Sequence, residues 1–133
     1  MTNEEFVEKV ESVAETDGRY LKEAYFFVFK ALQYTVENLH LTGEQRHVTG
    51  KQLLRGISEY ALEQFGPMTK TVFEHWGVRT TRDFGEIVFA LVGAGMMGKT
   101  EEDHIEDFVN VYDFETEFDW RKAIGRKFKK ADT

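Results

Sequence analysis

Between Thr80 and Phe114 the spacing of apolar residues changes period, and the rest of the chain has to be built around that change. Phe84, Ile87, Val88, Leu91 and Val92 recur at helical spacing, Thr80 with Asp83 and again Asp83 with Glu86 set a capping residue three positions before an acid and leave the cap open between them, and Gly93 and Gly95 end the run. The apolar residues that follow fall into two short runs, Met96 to Lys99 and Phe108 to Phe114, the second rich in Phe, Val and Tyr. An acidic segment from Thr100 to Asp107 joins them. A helix leading into a β-hairpin with an acidic loop is the outline of a winged-helix core.

The far side of that helix carries Gly85, Glu86, Phe89, Ala90 and Gly93, with Arg82 as its one cation. A helix apolar nearly all round is expected to be buried, not laid in a DNA groove. Phe89 is accordingly expected to lie beneath an upstream helix rich in phenylalanine. The charge distribution points the same way. Residues 83–120 hold eleven acids against one lysine, within a net charge of -7 for the chain. A wing of that sign repels phosphates, whose neutralisation supplies most nucleic-acid affinity.

Upstream, Thr2 and Glu5 form a capping-box pattern before Phe6, Val10 and Val13, and Thr16-Asp17-Gly18 closes that short helix. The longest periodic run follows, with Leu21, Ala24, Tyr25, Val28, Ala31, Leu32, Thr35, Val36 and Leu39 on one side. Phe26, Phe27 and Phe29 widen that side almost to the full circumference, so this helix is expected to pack on two faces. A polar segment from His40 to Arg46 separates it from Thr49-Gly50-Lys51-Gln52, a further capping box. That box opens a helix bearing Leu53, Leu54, Ile57, Tyr60, Ala61 and Phe65. Gly66-Pro67 turns the chain into a short helix that ends at Gly77. The predicted fold is mainly α with a small C-terminal β-hairpin, a winged-helix-like core packed against two N-terminal helices. Residues 1–120 form the domain, 1–40 being the helical pair and 49–114 the winged-helix-like core, and 121–133 are a basic tail.

At 133 residues the chain can bury a core without staples. Its lack of cysteine excludes disulfides, thiolate nucleophiles and zinc-cysteine sites. The first residues have neither a basic region nor an apolar run, and no stretch approaches the apolar length of a membrane span. A cytoplasmic protein with no membrane partner is the expectation.

The segments AYFFVFKALQYT, HVTGKQLLRGISEYALEQFGPM and HWGVRTTRDFGEIVFALVGAGMMGKTEEDHIEDFVNVYDF add a resemblance. Over about residues 20–114 the chain is similar to a conserved hypothetical protein family of planctomycete and verrucomicrobial bacteria. The resemblance implies no activity, substrate or cofactor, and no catalytic residue is carried over from it.

The chemical motifs are sparse. His40, His47, His75 and His104 show no HExxH or HxxxH spacing; His104 could join Glu102 and Glu106 on a metal, although a charge run of this kind is usually solvated. Asp113, Glu115, Glu117 and Asp119 resemble a calcium loop, but its sixth position is Phe118 where glycine is needed. Gly93 to Thr100 matches GxxxxGK[ST] in full; it follows a helix instead of a strand, and Glu101, Glu102 and Asp103 come next. No catalytic, cofactor-binding or metal residue is therefore nominated. The interaction candidates are Arg121, Lys122, Arg126, Lys127, Lys129 and Lys130 in the tail and Glu101, Glu102 and Asp103 in the hairpin loop. The leading expectation is a non-catalytic protein-interaction or scaffold domain on a winged-helix-like frame, with a protein partner and self-association open to it. The alternative is a nucleic-acid-binding regulator acting through the tail. An enzyme ranks third.

Overall fold

The computed structural model describes residues 2–39, 48–97, 104–119 and 121. Helices α1 (Asn3–Asp17), α2 (Lys22–Asn38), α3 (Gly50–Phe65), α4 (Thr69–Trp76) and α5 (Thr81–Gly93) form a bundle, and a short α6 (Phe114–Glu117) closes it. Two 3₁₀ turns, Gly66–Met68 and Ile105–Phe108, lie between them. Local chemistry sets the ends. Thr2 and Glu5 cap α1 reciprocally, as Thr49 and Gln52 cap α3. Asp83 takes the backbone N–H groups of Arg79 and Thr80 at 2.8 and 3.0 Å before α5. Gly77, at φ 88°, ends α4 in the left-handed conformation that a side chain would strain.

The rings of Phe27, Phe73 and Phe84 hold the bundle together. Phe27 on α2 lies within 6.5 Å of the rings of Tyr60, Phe65, Phe73, Trp76 and Phe84, so one buried side chain bridges four helices. Phe73 then meets Phe114 and Phe118 at 5.6 and 5.2 Å, which seats the C-terminal segment on the same core. Ser58 on α3, buried, donates to the Glu117 carboxylate, and Arg55 pairs with it at 3.4 Å.

The hairpin is the first correction. Among the described residues there is no β-strand, so there is no wing and the winged-helix-like core is not the fold. Met96 and Met97 are in a bend, while Phe108 to Phe114 runs from a 3₁₀ turn through Asn110, at φ 52°, into α6. The reason is visible in the hydrogen bonds. Thr81 on α5 is fully buried; its hydroxyl donates to the Phe108 carbonyl at 2.5 Å and accepts from the Val111 N–H at 3.2 Å. One side chain thus satisfies backbone groups that a partner strand would have taken, and high β propensity without a partner does not make a sheet. The Phe108 ring is wedged between α3 and α5, where glycines leave the space. A Cβ on Gly85 would stand 2.7 Å from Phe108 Cβ, and one on Gly50 would stand 2.8 Å from Phe108 Cζ.

The second correction concerns the phenylalanines. Phe26 and Phe29 face α1, with Phe6 at 6.2 and 5.0 Å. Phe89 is half-buried and packs edge-on against Phe108 at 6.2 Å, whereas the apolar pattern placed it beneath α2. The segment that was to be the wing covers that side of α5 instead. No helix among the described residues is long and apolar enough to cross a membrane.

Candidate functional site

Of the nominated interaction residues, only Arg121 is described. It is exposed and bonded locally, its backbone N–H to Asp119 Oδ1 at 2.9 Å and its guanidinium to the same carboxylate at 3.4 Å. Lys122, Arg126, Lys127, Lys129, Lys130, Glu101, Glu102 and Asp103 lie outside the described residues. Gly93 is the last residue of α5, and Gly98 to Thr100 of the phosphate-loop match also lie outside them. The His104 N–H donates to Asp107 at 2.9 Å, and Asp113 caps α6 by accepting from the Glu115 N–H at 2.7 Å. No three metal-ligating side chains gather among the described residues.

Two polar clusters are closed upon themselves. Around the start of α5, Tyr20 donates to Asp83 at 2.6 Å, Tyr25 donates to Asp17, and Arg19 and Arg82 pair with Glu86 at 2.6 and 3.4 Å. Burial and these carboxylates push both phenols up, so neither is a ready base at neutral pH. A cleft of about 340 Å³ lies between α4 and the start of α6, but Lys70 there is paired with Glu115 and with Glu74, the latter at 3.5 Å. The Glu115 hydrogen bond raises the Lys70 ammonium, which stays charged. Both clusters clamp chain segments together.

The third place is open. A groove of about 260 Å³ between α2, α3 and α4 is walled by Phe26, Phe27, Tyr60, Phe65 and Trp76. Helical spacing explains it. Glu23, Phe26, Phe27, Lys30 and Tyr34 follow one face of α2 at three- and four-residue steps, and Glu59, Tyr60, Glu63 and Gln64 do the same on α3. The rings run on continuously, Tyr34 to Tyr60 at 5.3 Å, Tyr60 to Phe27 at 5.5 Å, and Phe27 to Trp76 at 5.3 Å. Burial together with the Glu63 and Glu59 carboxylates pushes the Tyr34 phenol up to about 12. Glu23 and Lys30 stand on the rim.

The groove joins these rings to carboxylates, with Lys30 as well as Glu23 on the rim. Among the described residues, Glu23 on the rim and Glu59 and Glu63 beside Tyr34 at one end of the ring row have no lysine or arginine within ion-pair range, whereas Glu86, Glu115 and Glu117 each have at least one. Aromatic faces attract cations through their quadrupole, and carboxylates beside them add to that attraction. Individual aromatics were legible in the sequence as core residues, but their convergence on one groove was not, because it joins residues from three helices. No family model, curated protein or solved structure matches this chain.

Proposed function

We propose that this helical bundle is a recognition domain without chemistry of its own, whose α2–α3–α4 groove takes the cationic side chains of a basic segment of a protein partner. The observation that carries the reading is a continuous aromatic row with Glu23 on the groove rim and Glu59 and Glu63 beside Tyr34 at its end, none of the three within ion-pair range of a described lysine or arginine. Arginine suits such a place best, since its flat guanidinium stacks on rings while its edge meets carboxylates. Both frame and site differ from the wing-based interaction expected from sequence. The absence of a wing removes that earlier reading.

The groove supplies its own reporter. Trp76 lies in its wall, and the chain has only two tryptophans, so Trp120→Phe leaves a single indole there. A synthetic peptide alternating Arg and Phe should shift the Trp76 emission saturably, and the same peptide with Glu for Arg should not. Glu23→Gln and Glu63→Gln should each weaken binding about three- to fivefold, the effect of a rim charge worth up to roughly 1 kcal/mol. Equal response to the acidic peptide, or no response to either, would remove the reading.

A further inference from the structure

We infer that the cleft between α4 and the start of α6 binds a free α-amino acid with an apolar side chain, its carboxylate on Arg79 and Asn110 and its ammonium on Asp113. The Lys70 clamp leaves these three groups unused. Lys70 takes up Glu74 and Glu115, whereas the Arg79 guanidinium in the same cleft has no carboxylate within ion-pair range among the described residues. Asp113 has no described lysine or arginine in range either. One of its oxygens accepts from the Glu115 N–H at 2.7 Å, and the other is left over. The lining holds two cations, Lys70 and Arg79, against three carboxylates, so it does not favour a bare anion. A ligand of both signs uses what the clamp leaves. A guanidinium grips a carboxylate through two parallel N–H groups, and an asparagine amide adds a further donor.

The three groups stand on backbone that is already fixed. Asp83 accepts from the Arg79 and Thr80 N–H groups at 2.8 and 3.0 Å, and Asp113 is the cap of α6. The buried Thr81 hydroxyl holds the chain on either side of Asn110, through the Phe108 carbonyl and the Val111 N–H. Groups held in place before binding lose less entropy when a ligand arrives. Asn110 is the one non-glycine at positive φ among the described residues, at 52°. Asparagine tolerates that conformation because its amide can bond nearby backbone, yet here the amide bonds no described group and is free for a ligand. The cleft's volume of about 340 Å³ is at the lower end of the roughly 300–1,000 Å³ of small-molecule sites, which suits a metabolite. Tyr112 and Phe114 give it an apolar wall, the Tyr112 hydroxyl being engaged by the Leu54 carbonyl at 2.9 Å.

Full-length protein, nitrogen-labelled for NMR, is titrated separately with valine, leucine, methionine and phenylalanine. At least one should shift the amide signals of Arg79, Asn110 and Asp113 saturably. The carboxylic acid and the amine of the same skeleton, which keep one charge each, should bind at least about tenfold more weakly. Arg79→Gln and Asp113→Asn should each weaken binding about five- to tenfold, and asparagine caps a helix as well as aspartate, so α6 is kept. Asn110→Gly accepts the positive φ and removes only the amide, and should weaken binding about two- to threefold. Arg82→Gln, outside the cleft, should leave the affinity as it was. The inference is overturned by the absence of saturable shifts with all four amino acids, or by shifts confined to other residues. Equal binding of the single-charge acid, which needs no variant and so stands even where a substitution disturbs the fold, also overturns it. So does unchanged affinity in both Arg79→Gln and Asp113→Asn.

Discussion

Gly56 on α3 faces Thr35 on α2 so closely that a Cβ at position 56 would stand 1.7 Å from Thr35 Oγ1. The threonine is buried, and its hydroxyl is held by the Ala31 carbonyl at 2.7 Å, so it has no free direction in which to yield. This contact sets how near α2 and α3 can come. Their approach in turn lets Phe27 on α2 meet Tyr60 and Phe65 on α3, which makes the groove.

Gly56→Ala should therefore lower stability by about 1 to 3 kcal/mol, the usual cost of overpacking, despite a helix-propensity gain of up to ~1 kcal/mol. Adding Thr35→Ala should recover part of the loss, since the Thr35 Cβ is still 2.9 Å from the new methyl. Gly93→Ala is the control, having nothing within 4 Å, and should leave the urea midpoint unchanged or raise it. An equal loss from both substitutions would show that helix seams play no part.

Phe108 and Phe89 separate the observed fold from the winged-helix expectation. Phe108 is 1% exposed between two glycine notches, so Phe108→Ala should cost about 3 to 5 kcal/mol. Phe89 is half-buried, so Phe89→Ala should cost roughly 1 to 2 kcal/mol, in line with partial loss of its buried area. Denaturant midpoints in the reverse order would return Phe89 to the centre of the core.

Alkali should unfold the protein through its tyrosines. Tyr20, Tyr25, Tyr34 and Tyr112 all have raised phenols, with burial the leading cause in each and Tyr34 reaching about 12. A phenol raised in the folded state is more readily deprotonated in the unfolded chain. The stability it contributes is complete below the ordinary value of 10.0 and declines as pH rises from there through the folded value. Thermal midpoints should thus be level with respect to these groups below pH 10 and fall between about 10 and 12. Tyrosinate absorbance in folded protein should lag behind that of protein in urea. Coincident titration curves would contradict the hydrogen bonds and burial assigned to these phenols.

The helical stretches were legible in the sequence because their signals are local. Thr2 with Glu5, Thr49 with Gln52, and Gly18, Gly66 and Gly77 act within one turn of themselves; they start α1 and α3 and end α1, α3 and α4. Residues 96–114 were not legible in the same way. Strand propensity in Phe108 to Phe114 becomes a sheet only if a second segment supplies hydrogen bonds, and here the buried Thr81 hydroxyl supplies them from 27 and 30 positions away. The notch that holds Phe108 is likewise shared between Gly50 and Gly85, which no local pattern connects. The candidate site belongs to the same class. Sequence determined that Phe27, Tyr60, Phe65 and Trp76 would seek burial, but whether their rings closed over one another or left an open groove was decided by the angle and spacing of three helices, and those follow from packing between distant residues.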